Sequence, residues 1–226
     1  MCALSVAVYH FEGYAVDFLP AVRFQGFTLD FLGSGLNIGT IAVQVFFMLS
    51  GILTVGTLGN VDFSCGKYYR KRFARLYVPL WIAWLMVCLW TTYWYGGIFF
   101  SVSMRMFPLA VLGLDGYLST TPLVALTGGT GFYLVGEWFF GALVFITLLW
   151  PFLRHVFLRS PKGLLFSLGL LELVSYFSTG AVLGSVLSCL PIEGLFSFVL
   201  GVYLASKRDK IYGNICAALI GGGVWL

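Results

Sequence analysis

The chain has 226 residues, of which 60% are hydrophobic and only 10% are charged, and its formal net charge is +4. A soluble domain carries roughly a quarter of charged residues, and a chain of this length cannot hide so much apolar surface in a water-soluble core. The composition therefore excludes a soluble globular protein and predicts an integral membrane protein. The small net charge does not indicate a nucleic-acid partner, because the cations fall in short segments where membrane-orientation signals belong.

Apolar stretches of roughly 20 residues predict membrane-spanning helices, since barrel strands would alternate apolar and polar residues. We expect an all-α polytopic bundle of roughly seven spans (six to eight) in a single transmembrane domain covering residues 1–226. The first span is short and the last residues stop within an apolar run, so we expect this domain to be incomplete at both ends. In chain order the candidate spans are 1–16, 36–58, 76–95, 132–153, 163–179, 182–206 and 211–226.

Three clusters of cations predict the orientation of these spans. They contain Lys67, Arg70, Lys71, Arg72 and Arg75, then Arg154, Arg159 and Lys162, then Lys207, Arg208 and Lys210. Cytoplasmic segments are enriched in such cations. All three clusters face the cytoplasm if the interrupted segment 96–131 does not cross the membrane, and the amino terminus is then cytoplasmic. If that segment crosses once, the second cluster faces outside.

The five cysteines show no metal-ligand spacing, so we predict neither a metal site nor a disulfide framework. The ionisable residues inside apolar spans are the functional candidates, because such groups are expensive in a membrane. Glu172 and Glu193 are the weaker ones, since Glu172 has no obvious partner in the sequence.

His10 and Glu137 are the clearest of these residues. On the predicted topology each lies roughly 8–9 Å from the outer end of its span, at a rise of 1.5 Å per residue. A histidine can act as a general base, and a nearby carboxylate can orient it or hold its proton. A structural histidine and a carboxylate paired with another buried group would fit the sequence equally well.

The basic run 67–75 also has two interpretations. Membrane anchoring explains its charge fully. Alternatively, guanidinium groups grip phosphate in a bidentate manner, and the run forms a phosphate or pyrophosphate clamp at the inner face. Arg72 and Arg75 are three residues apart and would share one helical face.

The order of five motifs resembles the membrane-bound acyltransferase 3 family, and the resemblance covers most of the chain. The motifs are a first helix with Val8-Tyr9-His10-Phe11, a helix ending in Phe46-Phe47-Met48-Leu49-Ser50-Gly51, a basic segment from Arg72 through Arg75, Pro79 and Trp81, a helix headed by Glu137 and ending at Pro151, and Phe198-Val199-Leu200-Gly201. The second and third motifs together are the most specific.

The resemblance implies transfer of an acyl group, usually acetyl, from cytoplasmic acyl-coenzyme A to a hydroxyl of a cell-surface or exported polysaccharide. His10 would be the base and Glu137 would support it or the acceptor, while Arg70, Lys71, Arg72 and Arg75 would hold the donor phosphates. Acetyl-CoA would be a co-substrate, with no bound cofactor. The partners would be the donor, the glycan and the lipid bilayer, in a bacterial inner membrane.

Two alternatives remain open from the sequence. A transporter or polysaccharide-export component would use Glu137, Glu172 and Glu193 as pathway carboxylates. An inactive truncated family member would explain the lack of the family's basic residue upstream of His10 and the abrupt end of the chain.

Overall fold

The structure, a computed structural model, describes residues 38–96, 107–119, 137–177 and 191–207. Every regular element in these ranges is helical, which confirms the predicted all-α class. The elements are α1 (Ile38–Ile52), a short 3₁₀ turn (Val55–Thr57), α2 (Cys65–Tyr95), α3 (Phe107–Val111), α4 (Asp115–Ser119), α5 (Glu137–Arg159), α6 (Pro161–Phe177) and α7 (Ile192–Ser206).

Two stretches in these ranges are long and apolar enough to cross a membrane, Cys65–Trp94 and Trp138–Arg159. Two shorter apolar helices cover Ile41–Thr57 and Ile192–Ser206. The predicted bundle of roughly seven spans is therefore supported only as a set of apolar helices. The predicted spans 1–16 and 211–226 lie outside the described residues.

The boundaries of α2 differ from the predicted span 76–95. The helix begins at Cys65, after Ser64 in an extended conformation, and the whole basic run is helical. It ends where Gly96 adopts φ 73° and donates its N–H to the Thr92 carbonyl, a termination that favours glycine. Hydropathy placed the boundary at the last cation, but backbone hydrogen bonds continue through charged residues, so the helix starts eleven residues earlier.

The helix α5 ends later than the predicted span 132–153. The structure describes it from Glu137, the residue that the motif places at its head, and residues 132–136 lie outside the described residues. The helix does not end at Pro151, however, and continues through Arg154 to Arg159. Two residues of the second cation cluster therefore belong to the helix.

The described residues form two compact units. The terminal unit contains residues 38–59 and 197–207, with α1 and most of α7. The central unit contains the described residues between 60 and 196, with α2 to α6 and the first turn of α7.

A close helix crossing holds the terminal unit together. A Cβ atom added to Gly51 would collide with the backbone carbonyl of Phe198, and one added to Gly201 would collide with the carbonyl of Met48. Ser197 donates a hydrogen bond to the Gln44 side chain at 2.7 Å. Glycine lets helix backbones approach in this way, so the Leu-Ser-Gly and Phe-x-x-Gly motifs meet at one crossing.

In the central unit, α2 and α5 are antiparallel. The Tyr69 hydroxyl donates to the Leu148 carbonyl at 2.9 Å, and eight residues further along α2 the Tyr77 ring contacts Phe140, eight residues earlier on α5, with ring centroids 5.4 Å apart. This register places the backbone of Glu137 about level with Leu80, the middle residue of α2.

The segment 107–119 packs against the middle of α2. Trp81 Nε1 donates to the Val111 carbonyl at 2.9 Å and the Tyr77 hydroxyl donates to the Leu112 carbonyl at 3.1 Å. Gly113, at φ 65°, lies against Phe140, where a Cβ would collide with the ring. Helices of five residues are only about 7.5 Å long, too short to cross a membrane alone. The rest of the segment 96–131 lies outside the described residues, so whether it crosses stays a prediction.

We expect Gly51→Ala and Gly201→Ala each to destabilise the protein by about 1–3 kcal/mol, because the added methyl must displace backbone rather than a flexible side chain. Thermal unfolding of the detergent-solubilised chain measures the effect. Gly66→Ala on α2 is the matched control, since its Cβ would meet only the Ser64 hydroxyl at 4.0 Å. Equal melting temperatures for all three variants would contradict the crossing.

Candidate functional site

The four predicted donor-binding residues lie on consecutive turns of α2. Arg70, Lys71 and Arg75 are exposed, whereas Arg72 is half-buried. Arg72 and Arg75 lie about 10 and 15 Å along the helix from Cys65, its first residue. The helix therefore spaces these cations along its axis, beginning near its amino-terminal end.

The α2–α5 register places this basic run beside an apolar part of α5. Positions 67–75 of α2 lie level with residues 142–150, all of which are apolar except Thr147. Arg154 lies five residues before the end of α5. Its guanidinium donates to the Asn60 carbonyl at 3.0 Å and stacks 4.5 Å from the Phe63 ring centroid. The run therefore does not lie beyond the end of its neighbour, as a purely anchoring cluster would.

Arg72 stacks on a buried tyrosine. Its guanidinium carbon lies 5.9 Å from the centroid of the Tyr68 ring, one turn earlier on α2. Tyr68 is only 8% exposed, and its ring touches those of Phe63 and Tyr69. The Tyr68 hydroxyl lies near Arg72 and Thr147 but makes no well-formed hydrogen bond within the described part of the chain.

The first turn of α5, which starts at Glu137, lies close to the segment 107–119. Gly141, one turn later, is so close to Gly113 and Tyr117 that a Cβ there would collide with the Tyr117 side chain. Because Glu137 is level with Leu80, it is only five residues, or about 8 Å along the axis, from the level of Arg75. His10 lies outside the described residues, so its predicted proximity to Glu137 stays a prediction.

Asp115 is a polar residue that the sequence presented only as an interruption of an apolar segment. It is 0% exposed, and neither carboxyl oxygen has a hydrogen-bond partner among the described residues. A buried carboxyl without a partner is costly. The sequence does contain a signal that could have identified Asp115 as a candidate: an aspartate within an apolar stretch of a membrane protein is a functional candidate by default.

Glu172 has a neighbour that the sequence did not reveal. Gly169 of α6 lies against the Phe196 ring of α7, and Glu172, three residues later, interacts electrostatically with Glu193, three residues earlier. These carboxylates belong to α6 and the first turn of α7, apart from the predicted donor residues. Over the described ranges, no group of three or more His, Cys, Asp or Glu residues could hold a metal ion.

Comparison with known proteins gives one match. No curated protein matches the chain, and no solved structure does. The family model for acyltransferase 3, described as an acyltransferase domain, matches residues 1–226, which is the whole sequence. The chain therefore belongs to the acyltransferase 3 family of membrane-associated acyltransferases.

Proposed function

We propose that this acyltransferase moves an acetyl or similar acyl group from cytoplasmic acyl-CoA to a hydroxyl of a cell-surface or exported polysaccharide. Family membership supports acyl transfer in general; the donor and the acceptor are our assignment. The protein would work in a bacterial inner membrane with its amino terminus in the cytoplasm.

The position of the basic run carries this proposal. Arg72 and Arg75 lie beside apolar residues of α5 rather than past its end. Membrane anchoring requires cations only at the surface, whereas a phosphorylated donor that must bring its thioester to a site within the protein requires cations along its path. Arg70 and Lys71 immediately precede Arg72 and extend this path toward the amino-terminal end of α2.

The proposed reaction uses His10 as the base. The acceptor hydroxyl oxygen attacks the thioester carbonyl carbon, its proton passes to the His10 imidazole, and the carbon–sulfur bond breaks. The coenzyme A thiolate then takes up the proton from the imidazolium. Glu137 would orient the imidazole or stabilise its positive charge, and no metal or bound cofactor takes part.

We expect His10→Ala to reduce acyl transfer about 100-fold or more, the usual contribution of a general base. The measurement is base-labile acetate released from the surface glycan of cells producing equal amounts of each variant. His155→Ala is the matched control, because His155, the second of the chain's two histidines, is exposed on α5. Unchanged glycan acetylation in His10→Ala would refute the mechanism.

We expect Arg72→Gln to weaken acetyl-CoA binding roughly tenfold or more, because hydrogen bonds to charged groups contribute about 1.5–3 kcal/mol. Binding of radiolabelled acetyl-CoA to the solubilised chain gives the dissociation constant. Lys67→Gln, an exposed cation in the first turn of α2, is the control. If acetyl-CoA binding is unchanged in Arg72→Gln, the run is an orientation signal alone.

The transport alternative makes a different prediction for the same preparation. A pathway built from Glu137, Glu172 and Glu193 would support pH-coupled uptake without any binding of acetyl-CoA. The electrostatically interacting Glu172 and Glu193 lie on α6 and α7, whereas the cations that favour a phosphorylated donor lie on α2.

A further inference from the structure

Tyr68 has a position that neither membrane anchoring nor donor charge requires. It belongs to a row of aromatic rings that begins just before α2 and continues along it, with successive centroids 5.5–5.8 Å apart. The row consists of Phe63, Tyr68, Tyr69, Phe73, Tyr77 and Trp81. Within this row, Tyr68 is buried against α5 near Thr147. Its ring also contacts the rings of Phe63 and Tyr69.

Arg72 is the cation of the run whose guanidinium lies over a ring in the described structure. A long arginine side chain loses much rotamer freedom when it binds a ligand, and less if its guanidinium is already fixed. A cation over an aromatic face is attracted by the ring quadrupole. The buried Tyr68 ring therefore limits the orientations that the Arg72 guanidinium can adopt.

We propose that Tyr68 is the positioning residue that holds Arg72 for the phosphates of the acyl donor. This inference rests on the proposed function. The ring supplies the platform, and the Tyr69 hydroxyl, hydrogen-bonded to the Leu148 carbonyl, fixes the adjacent turn of α2 against α5. Arg154 also lies over a ring, that of Phe63, and its guanidinium donates to the Asn60 carbonyl.

The readout is the preference of the solubilised full chain for acetyl-CoA over S-acetylpantetheine, which carries the same thioester without any phosphate. Competition against radiolabelled acetyl-CoA gives both dissociation constants. We expect Tyr68→Leu to lower this preference roughly two- to fivefold, the range of an exposed cation–π contact, while the affinity for S-acetylpantetheine stays unchanged. Tyr68→Phe retains the ring and should keep the preference.

Tyr77→Leu is the structural control. It removes another packed tyrosine of α2, whose hydroxyl bonds the Leu112 carbonyl, five residues or about 7.5 Å along the axis from Arg72. We expect it to lower stability without changing the preference. Tyr68→Met, whose unbranched side chain adapts to an irregular space without a ring, replaces Tyr68→Leu if that variant does not fold and should show the same loss.

An unchanged preference in both Tyr68→Leu and Tyr68→Met overturns the inference, as does an equal loss in Tyr77→Leu or Tyr68→Phe. Failure of the proposed function looks different. In that case the wild-type chain shows no preference for acetyl-CoA over S-acetylpantetheine, or Arg72→Gln leaves that preference intact.

Discussion

Three aromatic side chains of α2 donate hydrogen bonds to main-chain carbonyls, and the arrangement of the central unit depends on them. Tyr69 bonds the Leu148 carbonyl of α5, while Trp81 and Tyr77 bond the carbonyls of Val111, the last residue of α3, and of Leu112, the next residue. In an apolar environment a polar group without a partner is costly, and sliding α2 by one turn would take all three side-chain donors away from these acceptors. These hydrogen bonds therefore fix both the register of α2 against α5 and the position of the segment 107–119 on α2.

That register has a consequence for catalysis. The predicted topology separated the donor cations, at the inner face, from Glu137, in the outer half of the membrane. In the structure the level of Arg75 and the first residue of α5 are about 8 Å apart along the helix axis. In the proposed reaction, the donor's phosphates and its thioester would be handled at neighbouring levels of one helix pair, and the buried Asp115 belongs to the segment 107–119 beside them.

Composition and short motifs predicted the helical class, the helical face shared by Arg72 and Arg75, and Glu137 at a helix head, because these depend on local spacing. The start of α2 at Cys65 could not be read from hydropathy, since charged residues continue a helix when a neighbour covers one of its faces. Tyr68 and Arg72 have the spacing of one helical turn, which the sequence shows. That Tyr68 is buried against α5 depends on the register of two helices distant in sequence, and no local pattern encodes it. The burial of Asp115 has the same origin.

The glycine crossing between α1 and α7 also imposes an order on synthesis. Gly51 leaves the ribosome 147 residues before its contact Phe198, an interval of roughly 7 to 30 s at ordinary elongation rates. During that time the groove that glycine opens in α1 has no α7 backbone to fill it. The terminal unit can thus close only after the central unit has been made, which leaves α1 dependent on lipid or on an insertion factor until α7 has been made.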